Sequence, residues 1–184
     1  MTMRTVDATI INRIAADPQV HRAMGLDPDD PPLTFDQFTG DPDHFIILDN
    51  GKDAAMIAEW RGPGIWEAHS MTLPTCRGAD ALAMGVAMLS EMFTLHGADI
   101  VWAQTPHFNL PQRGFNRKLG AKSMGHGRNH VLDCEVEFFR FDKAEWMAKF
   151  NNAEREAHGS PSSRNQGTRR SKRCPFHYCC ELRR

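Results

Sequence analysis

The sequence predicts one α+β domain with a mixed central β-sheet flanked by helices. First, three apolar segments between residues 45 and 73 are separated by turn signals, which is typical of an antiparallel meander. Second, residues 79–95 show a helical pattern without a breaker. Third, residues 99–105 read as a short buried strand, so the preceding strand, the helix and this strand form a parallel crossover. Ligands in such units gather at the carboxyl end of the first strand.

The N-terminal segment predicts two short helices. Residues 6–24 place apolar side chains near helical spacing, and the pair Asp17-Pro18 interrupts the pattern. The apolar positions are Ile10, Ile11, Ile14 and Val20. A loop rich in Asp and Pro then leads to the first strand of the meander.

The meander is defined by its turns. Its predicted strands are residues 45–48, 54–60 and 65–73. Asn50-Gly51 lies between the first two and favours a tight hairpin, because both central residues can take positive φ. The Arg-Gly-Pro-Gly cluster at residues 61–64 turns the chain between the second and the third.

Residues 79–95 predict a core helix. One apolar stripe is Leu82, Val86, Leu89 and Phe93, and a second is Met84, Met88, Met92 and Leu95. Methionines at helical spacing are typical of core packing. The small residues Ala83, Gly85 and Ala87 would let the helix lie close to the sheet.

The remaining elements alternate between helix and strand. The predictions are a helix at residues 110–118, a long strand at residues 131–141 and a final helix at residues 142–156. Gly120 closes the first of these helices in the manner of a glycine C-cap. Trp146 and Phe150 would face inward from the last helix.

The charge distribution divides the chain into two parts. Of the 184 residues, 41% are hydrophobic, which is enough for one core. Residues 1–158 carry 15 Lys and Arg against 22 Asp and Glu, whereas residues 159–184 carry seven against one. The second part also loses hydrophobic periodicity. We therefore predict a domain at residues 1–158 and a basic, disordered tail at residues 159–184.

The five cysteines favour a reducing compartment. They are odd in number and unevenly spread, and no secretory segment is evident at the N-terminus. No apolar run approaches the roughly 20 residues that a membrane span requires. We expect a cytoplasmic protein without membrane contact.

The tail contains C-P-F-H-Y-C-C at residues 174–180, which raises the question of zinc. The adjacent residues Cys179 and Cys180 can hardly both join Cys174 and His177 in an unstrained tetrahedron, so we predict no metal site. Attraction of nucleic acid by the basic run is an alternative interpretation, and a solvated, disordered tail is the one we favour.

Three motifs resemble those of the GNAT acyl-coenzyme A N-acyltransferases. They are M-T-L-P-T-C-R-G-A-D-A-L at residues 71–82, G-A-D-I at residues 97–100, and Asn109 followed eleven residues later by Gly120. The resemblance covers residues 45–125 well, and the layout around Arg-Gly is similar to GNAT-like proteins of tailed bacteriophages. It implies a GNAT-like fold, acetyl-CoA as co-substrate and a primary amine as acceptor.

The resemblance also implies a coenzyme site. In the family, the strand end binds the pantetheine arm, and the following loop binds the pyrophosphate because a helix N-terminus offers unpaired N–H groups and about half a positive charge. The corresponding pantetheine residues here are Met71 and Leu73. The pyrophosphate residues are Arg77, Gly78, Ala79, Asp80, Ala81 and Leu82. Asn109 would either touch the coenzyme or cap the second helix.

Three positions depart from the family's pattern. Asp80 and Leu82 stand where glycine or alanine is preferred, and the Asp80 carboxylate would repel a pyrophosphate if it pointed into the loop. A carboxylate in the first turn is also an ordinary dipole-stabilising residue. Asn116 replaces the tyrosine that often serves as the acid, and it can donate a hydrogen bond but not a proton.

Glu67 and His69 are the candidate catalytic bases. The attacking amine must lose a proton, which requires a base whose pKa lies near the working pH. Strand alternation puts Glu67, His69 and Met71 on one face, so the carboxylate and the imidazole lie side by side. A structural His and Glu that pair with neighbours is the alternative interpretation.

Two functions fit these observations. The first is an acetyl-CoA-dependent N-acetyltransferase that uses direct attack, with Glu67 or His69 as base. The second is a non-catalytic GNAT-fold protein of phage assembly, the virion interior or host interaction, found in the host cytoplasm or the virion. A weaker third makes the basic tail the functional part.

Overall fold

The computed structural model describes residues 3–27 and 29–157. In chain order the elements are β1 (Met3–Thr5), α1 (Thr9–Ala15), α2 (Pro18–Ala23), a 3-10 turn (Asp36–Phe38), β2 (Phe45–Asp49), β3 (Ala54–Gly62), β4 (Ile65–Thr72), α3 (Gly78–Leu95), β5 (Ile100–Pro106), α4 (Leu110–Lys118), β6 (Lys122–Asn129), β7 (Cys134–Asp142) and α5 (Lys143–Ala157).

The strands form one mixed sheet of seven strands in the order β1-β2-β3-β4-β5-β7-β6. β4 and β5 are parallel, and the other neighbouring pairs are antiparallel. The parallel pairing joins residues 65–67 to residues 100–102 and then ends, although β4 continues to Thr72 and β5 to Pro106. The two strands therefore separate toward their carboxyl ends, and we call this gap the β4/β5 opening. The predicted mixed sheet and parallel crossover are confirmed.

Apolar side chains cover both faces of the sheet. One cluster joins α1 and α2 to β2, β3 and β4, with Ile11 and Ile57 among its members. The other joins α3 and α5 to the opposite face, where the rings of Phe93 and Trp146 lie 5.4 Å apart. Consequently β4 sends alternate side chains into two separately packed layers.

The two predicted N-terminal helices are confirmed. Asp17 caps α2, because its Oδ1 accepts the N–H of Gln19 at 2.9 Å. Pro18 occupies the first helical position. The N–H at this position has no partner within a helix, so proline, which lacks it, costs no hydrogen bond there. The predicted interruption is thus the start of the second helix.

The predicted core helix corresponds to α3. Its buried side contains Met88, Leu89, Met92 and Phe93, whereas Leu95 at the helix end is 74% exposed. By length and composition α3 is apolar enough to cross a membrane, and a core helix has these same properties. A Cβ on Gly85 would lie 2.8 Å from side-chain atoms of Leu119 and Phe115. This glycine therefore permits close approach of α4, whereas the sequence predicted that it served packing on the sheet.

The turn between β2 and β3 differs from the predicted hairpin. Gly51 has φ of +73°, but Asn50 is not among the described residues with positive φ. Asn50 Oδ1 instead accepts the N–H groups of Lys52, Asp53 and Ala54. A side chain thus organises a longer turn, so the dipeptide predicted the place of the turn but not its type.

The C-terminal strands differ as well. The single strand predicted at residues 131–141 begins at Cys134, and the unpredicted strand β6 precedes it. β6 has the sequence K-S-M-G-H-G-R-N and lies at the edge of the sheet, so it lacks the apolar alternation that marks a strand. β1 lies at the other edge and is only three residues long. Trp146 is buried on α5 as predicted.

The predicted basic tail and its cysteines lie outside the described residues. Within residues 3–27 and 29–157, no three His, Cys, Asp or Glu side chains are grouped so that they could hold a metal ion.

Candidate functional site

The β4/β5 opening exposes the backbone of alternate residues of β4. The N–H of Leu73 donates to the carbonyl of Asp53 at 2.8 Å, and the antiparallel register continues this pattern through Met71. Odd-numbered residues of β4 therefore direct their backbone groups to β3, and even-numbered residues direct theirs to β5. Since the pairing with β5 ends at residue 67, Ser70 presents its N–H and C=O groups to the opening, and Thr72 presents its N–H. The carbonyl of Thr72 accepts a hydrogen bond from Arg77 Nη1 at 3.5 Å.

This register shows where the predicted pantetheine residues direct their backbone groups. Met71 pairs with Ala55 of β3, and the N–H of Leu73 donates to Asp53, just before β3. The carbonyl of Leu73 accepts the N–H of Cys76 at 2.9 Å. Met71 instead contributes a buried side chain to the face that carries His69. The free backbone edge of β4 is one residue away, at Ser70 and Thr72.

The start of α3 gathers backbone N–H groups. Arg77 is extended, with φ of −136° and ψ of 167°, and Gly78 has φ of +63°. Among the described residues, no acceptor bonds the N–H groups of residues 77–80. Consecutive free donors at the positive end of a helix suit an anion. We call this set the α3 amide cluster.

The other predicted loop residues are arranged around this cluster. Asp80 is exposed and forms no hydrogen bond or ion pair with a described residue, so its carboxylate is not tied to the amides. Ala79 is exposed, whereas Ala81 is buried and Leu82 packs against the apolar cluster of α3. Arg77 Nη1 donates to Thr72 Oγ1 at 2.7 Å, which holds the guanidinium at the end of β4.

Glu67 is fixed by a network of hydrogen bonds. Its side chain is 1% exposed, and Arg61 donates to Oε2 from Nε at 2.9 Å and from Nη2 at 2.5 Å. Gln104 Nε2 donates to Oε1 at 2.8 Å. Arg61 also pairs with Glu59 at 2.8 Å. Because both oxygens of Glu67 are already bonded, this carboxylate is better suited to orient a neighbour than to accept a proton.

His69 lies beside Glu67 and retains a free ring nitrogen. Its Nε2 is 3.5 Å from Glu67 Oε1, and no described residue bonds Nδ1. Burial lowers the pKa of His69 below its usual 6.5 and outweighs the opposite influence of Glu67 and Glu59. The side chain is still 42% exposed, so an incoming ligand can reach it. At neutral pH the imidazole is therefore an uncharged and accessible proton acceptor.

A pocket of about 350 Å³ opens beside His69, on the face of the sheet where Ile57 and Met71 pack with α1 and α2. Its floor comes from β3 and β4. Its wall comes from residues 33–35, 37 and 38 together with Phe45. The rings of Phe38 and Phe45 lie 4.6 Å apart in that wall. Its volume falls in the range of small-molecule sites. We call it the acceptor-side pocket.

Asn109 uses both ends of its amide in the structure. Its Oδ1 accepts the N–H of Gln112 at 3.1 Å and so caps α4. Its Nδ2 donates to the carbonyl of Ala23 at 2.9 Å, which ties α4 to α2. Of the two alternatives that the sequence left open, capping is the one that these bonds show.

Asn116 is likewise engaged in the structure. It is 3% exposed, and its Nδ2 donates to Thr105 Oγ1 at 3.0 Å. Its Oδ1 accepts from Gln112 Nε2 at 3.2 Å. Gln112 Nε2 also donates to Ser70 Oγ at 3.2 Å, which links α4 to β4. Asn116 therefore supports α4 and is not exposed toward the opening.

Comparison with solved structures identifies this architecture. No protein-family model and no curated protein sequence matches the chain. The spermidine N-acetyltransferase of Vibrio cholerae in complex with CoA and spermine aligns with a TM-score of 0.61 at 12% identity, over 80% of this chain and 97% of that one. The chain has the GNAT acetyltransferase fold.

Other solved structures share this GNAT fold. The ribosomal-protein-S5-alanine acetyltransferase of Vibrio fischeri aligns with a TM-score of 0.60 at 10% identity, over 79% of this chain and 93% of that one. A GCN5-related N-acetyltransferase of Brucella melitensis aligns with a TM-score of 0.59 at 15% identity, over 76% of this chain and 73% of that one. The predicted GNAT-like fold is confirmed.

Several residues of this GNAT-fold site escaped the sequence reasoning. Strand alternation placed Glu67 and His69 on one face, but it does not reveal which neighbouring strand each backbone group bonds, so Ser70 and Thr72 were missed. Glu59 lies two positions before the predicted turn, and Arg61 is the first residue of that turn, eight positions before His69. No motif marks either residue. In the segment Glu59-Trp60-Arg61, two opposite charges alternate around a tryptophan, and this pattern could have indicated an ion pair on one face of the strand.

Proposed function

We propose that this chain is an N-acetyltransferase that moves acetyl from acetyl-CoA to a primary amine by direct attack. One observation carries the proposal: residues 69–80 place a free imidazole nitrogen, an unpaired strand edge and the α3 amide cluster along one stretch of chain. Acyl transfer from a nucleotide thioester requires a base, a site for an extended arm and a site for phosphate. The likeness to a spermidine N-acetyltransferase in complex with CoA supports this reading.

The residues present fit acetyl-CoA. The α3 amide cluster and the exposed Arg77 suit a pyrophosphate, and the edge at Ser70 and Thr72 suits an amide-containing arm that adds to the sheet. Asp80 is not bonded to the amides, so its carboxylate is free to point into solvent. When bound, acetyl-CoA supplies the acetyl group as a thioester.

In this proposal His69 is the base and Glu67 is a positioning residue. The proton of the attacking amine goes to His69 Nδ1, the ring nitrogen that no described residue bonds. Glu67 faces the opposite nitrogen at 3.5 Å and stabilises the imidazolium that results. Arg61 and Gln104 hold the carboxylate in that place.

Direct attack is favoured over a covalent acyl-enzyme. Cys76 is the thiol next to the α3 amide cluster, but burial, Asp53 and Asp80 raise its pKa. The thiol therefore stays protonated and is a poor nucleophile. Asn116 donates no proton, but a thiolate is a weak enough base to leave a thioester without a strong acid.

A second candidate is a non-catalytic GNAT-fold protein, including a phage assembly or host-interaction protein. Asn116 favours it, because this residue supports α4 at a position where the resembling family often has its acid. Asp80 favours it too, since a carboxylate beside the α3 amide cluster weakens anion binding.

Release of free thiol from acetyl-CoA in the presence of primary amines distinguishes the two. We expect amine-dependent release, and we expect His69→Ala to lower kcat/KM by about 100-fold or more while CoA binding persists. CoA binding without thiol release for any primary amine would support the second candidate. Equal rates for wild type and His69→Ala would remove the base assignment.

A further inference from the structure

The acceptor-side pocket combines an apolar wall with a single acidic corner. We propose that it binds a small primary amine with one positive charge and an aromatic or branched apolar group next to the amine. This inference rests on the N-acetyltransferase function proposed above, because the pocket is the space beside the candidate base.

The wall of the pocket suits an apolar group. The ring of Phe38 lies 6.0 Å from that of Phe35 and 4.6 Å from that of Phe45. Leu33, 41% exposed, stands at the rim, and Ile57 with Met71 completes the apolar lining from the sheet. Such a surface gains most from an aromatic or branched partner, which offset ring contacts stabilise further. Aromatic faces also attract a nearby ammonium.

The charges around the pocket suit one cation. Among the described residues, Glu59 is the only carboxylate that lines it, and no Lys or Arg does so. Behind the floor, Arg61 lies between Glu59 and Glu67. Its Nη2 is 2.8 Å from Glu59 Oε2 and 2.5 Å from Glu67 Oε2. With His69 uncharged, these groups sum to one negative charge, which one ammonium balances. A polyamine would bring further charges into an apolar space that offers them no partner.

The size of the pocket agrees with a single-ring substrate. At about 350 Å³ it lies near the lower end of the range for small-molecule sites. The transfer itself is the step proposed above: the amine nitrogen forms a bond to the acetyl carbon, the carbon–sulfur bond breaks, the thiolate leaves and the amine proton passes through His69. The apolar group makes no covalent change and serves recognition alone.

Phenethylamine and ethylamine form the decisive pair of probes, because they differ by the ring. We expect kcat/KM with acetyl-CoA to be at least about tenfold higher for phenethylamine, as burial of a ring contributes more than 1.4 kcal/mol. Spermidine and a tripeptide with a free N-terminus should be poorer substrates than phenethylamine. Preference for either of these overturns the inference and leaves the acetyltransferase function standing.

Two variants locate the effect in the pocket. Leu33→Ser should reduce the preference for phenethylamine over ethylamine, whereas Val131→Ser, at an exposed position in the turn before β7, should not. Glu59→Gln should raise the KM of both amines by about tenfold, while Glu145→Gln, in an exposed pair with Lys122, leaves it unchanged.

Calorimetry of phenethylamine binding in the absence of acetyl-CoA separates the proposed acetyltransferase function from the proposed recognition of an apolar amine. Binding that Glu59→Gln weakens, without any acetyl transfer, would refute the proposed function but support the recognition argued here. No binding of phenethylamine to the wild-type chain, with acetyl transfer to another amine, would overturn the recognition alone.

Discussion

The imidazole of His69 is subject to opposing influences from its neighbours. Burial lowers its pKa, Glu67 and Glu59 raise it, and Arg61 lowers it. Burial has the largest effect, so the pKa of His69 lies below 6.5 and the ring is uncharged at neutral pH. In the unfolded chain the ring titrates at its ordinary pKa, so below about pH 6.5 the unfolded chain takes up the proton more readily than the folded chain. The free energy of unfolding therefore decreases as pH falls below about 6.5.

The pH dependence of turnover tests this assignment. We expect kcat/KM to be level at neutral pH and to fall below about pH 6.5, where His69 becomes protonated. Glu67→Gln removes an influence that raises the pKa, so the fall should move to lower pH. His69→Ala should remove the fall altogether. An unchanged profile in His69→Ala would show that another group titrates.

Glu137 supplies a second residue-level prediction, which concerns stability. Burial alone would raise its pKa, but hydrogen bonds from Ser123, Arg113 and Arg117 lower it from 4.5 to about 2. The stability that this lowered pKa provides is present above pH 4.5 and is lost as pH falls toward 2. It amounts to about 1–3 kcal/mol, since solvent screens the interaction with the exposed Arg117 and reduces its strength. Urea unfolding at pH 7 and pH 3 should therefore show a smaller pH dependence in Glu137→Gln than in wild type. Glu145→Gln is the matched control, and equal behaviour of the two variants would contradict the account.

At the scale of elements, the turn from β4 to α3 holds the proposed anion site. Gly78 begins the helix with φ of +63°, and the space around its missing Cβ is open. The position thus requires glycine for its backbone conformation and not for lack of room. The α3 amide cluster depends on that conformation.

Gly78→Ala should therefore strain the turn. We expect a loss of about 1–2 kcal/mol in the free energy of unfolding and weaker CoA binding. Gly40→Ala is the control, since its added Cβ also meets open space and its φ is not in the left-handed region. Thermal unfolding with and without CoA measures both effects. Unchanged CoA binding in a folded Gly78→Ala chain would separate the turn geometry from the ligand.

The sequence predicted the elements whose pattern is strong and local. α3 was found because its apolar spacing has no breaker, and the side-chain face of β4 followed from alternation. β6 was missed because an exposed edge strand with Gly125 and Gly127 has no apolar alternation. The separation of β4 from β5 and the partners of Glu67 depend on residues distant in sequence, such as Gln104, so no local pattern contains them.

At the scale of the whole molecule, residues 1–158 are predicted to fold and bind coenzyme without the basic tail. The contacts that build the α3 amide cluster, the β4/β5 opening and the acceptor-side pocket all lie among residues 3–27 and 29–150. A chain that ends at residue 158 should therefore keep CoA binding and amine acetylation. Loss of both in a truncated but folded chain would assign the function to the tail.

The central claim is that this GNAT fold binds coenzyme A at the start of α3. Thermal unfolding of the full chain with and without CoA tests it most directly. At about 100 times the dissociation constant, CoA should stabilise the fold by about 2.7 kcal/mol, which raises Tm by roughly 5–10 °C for a domain of this size. An unchanged Tm at millimolar CoA would contradict the account.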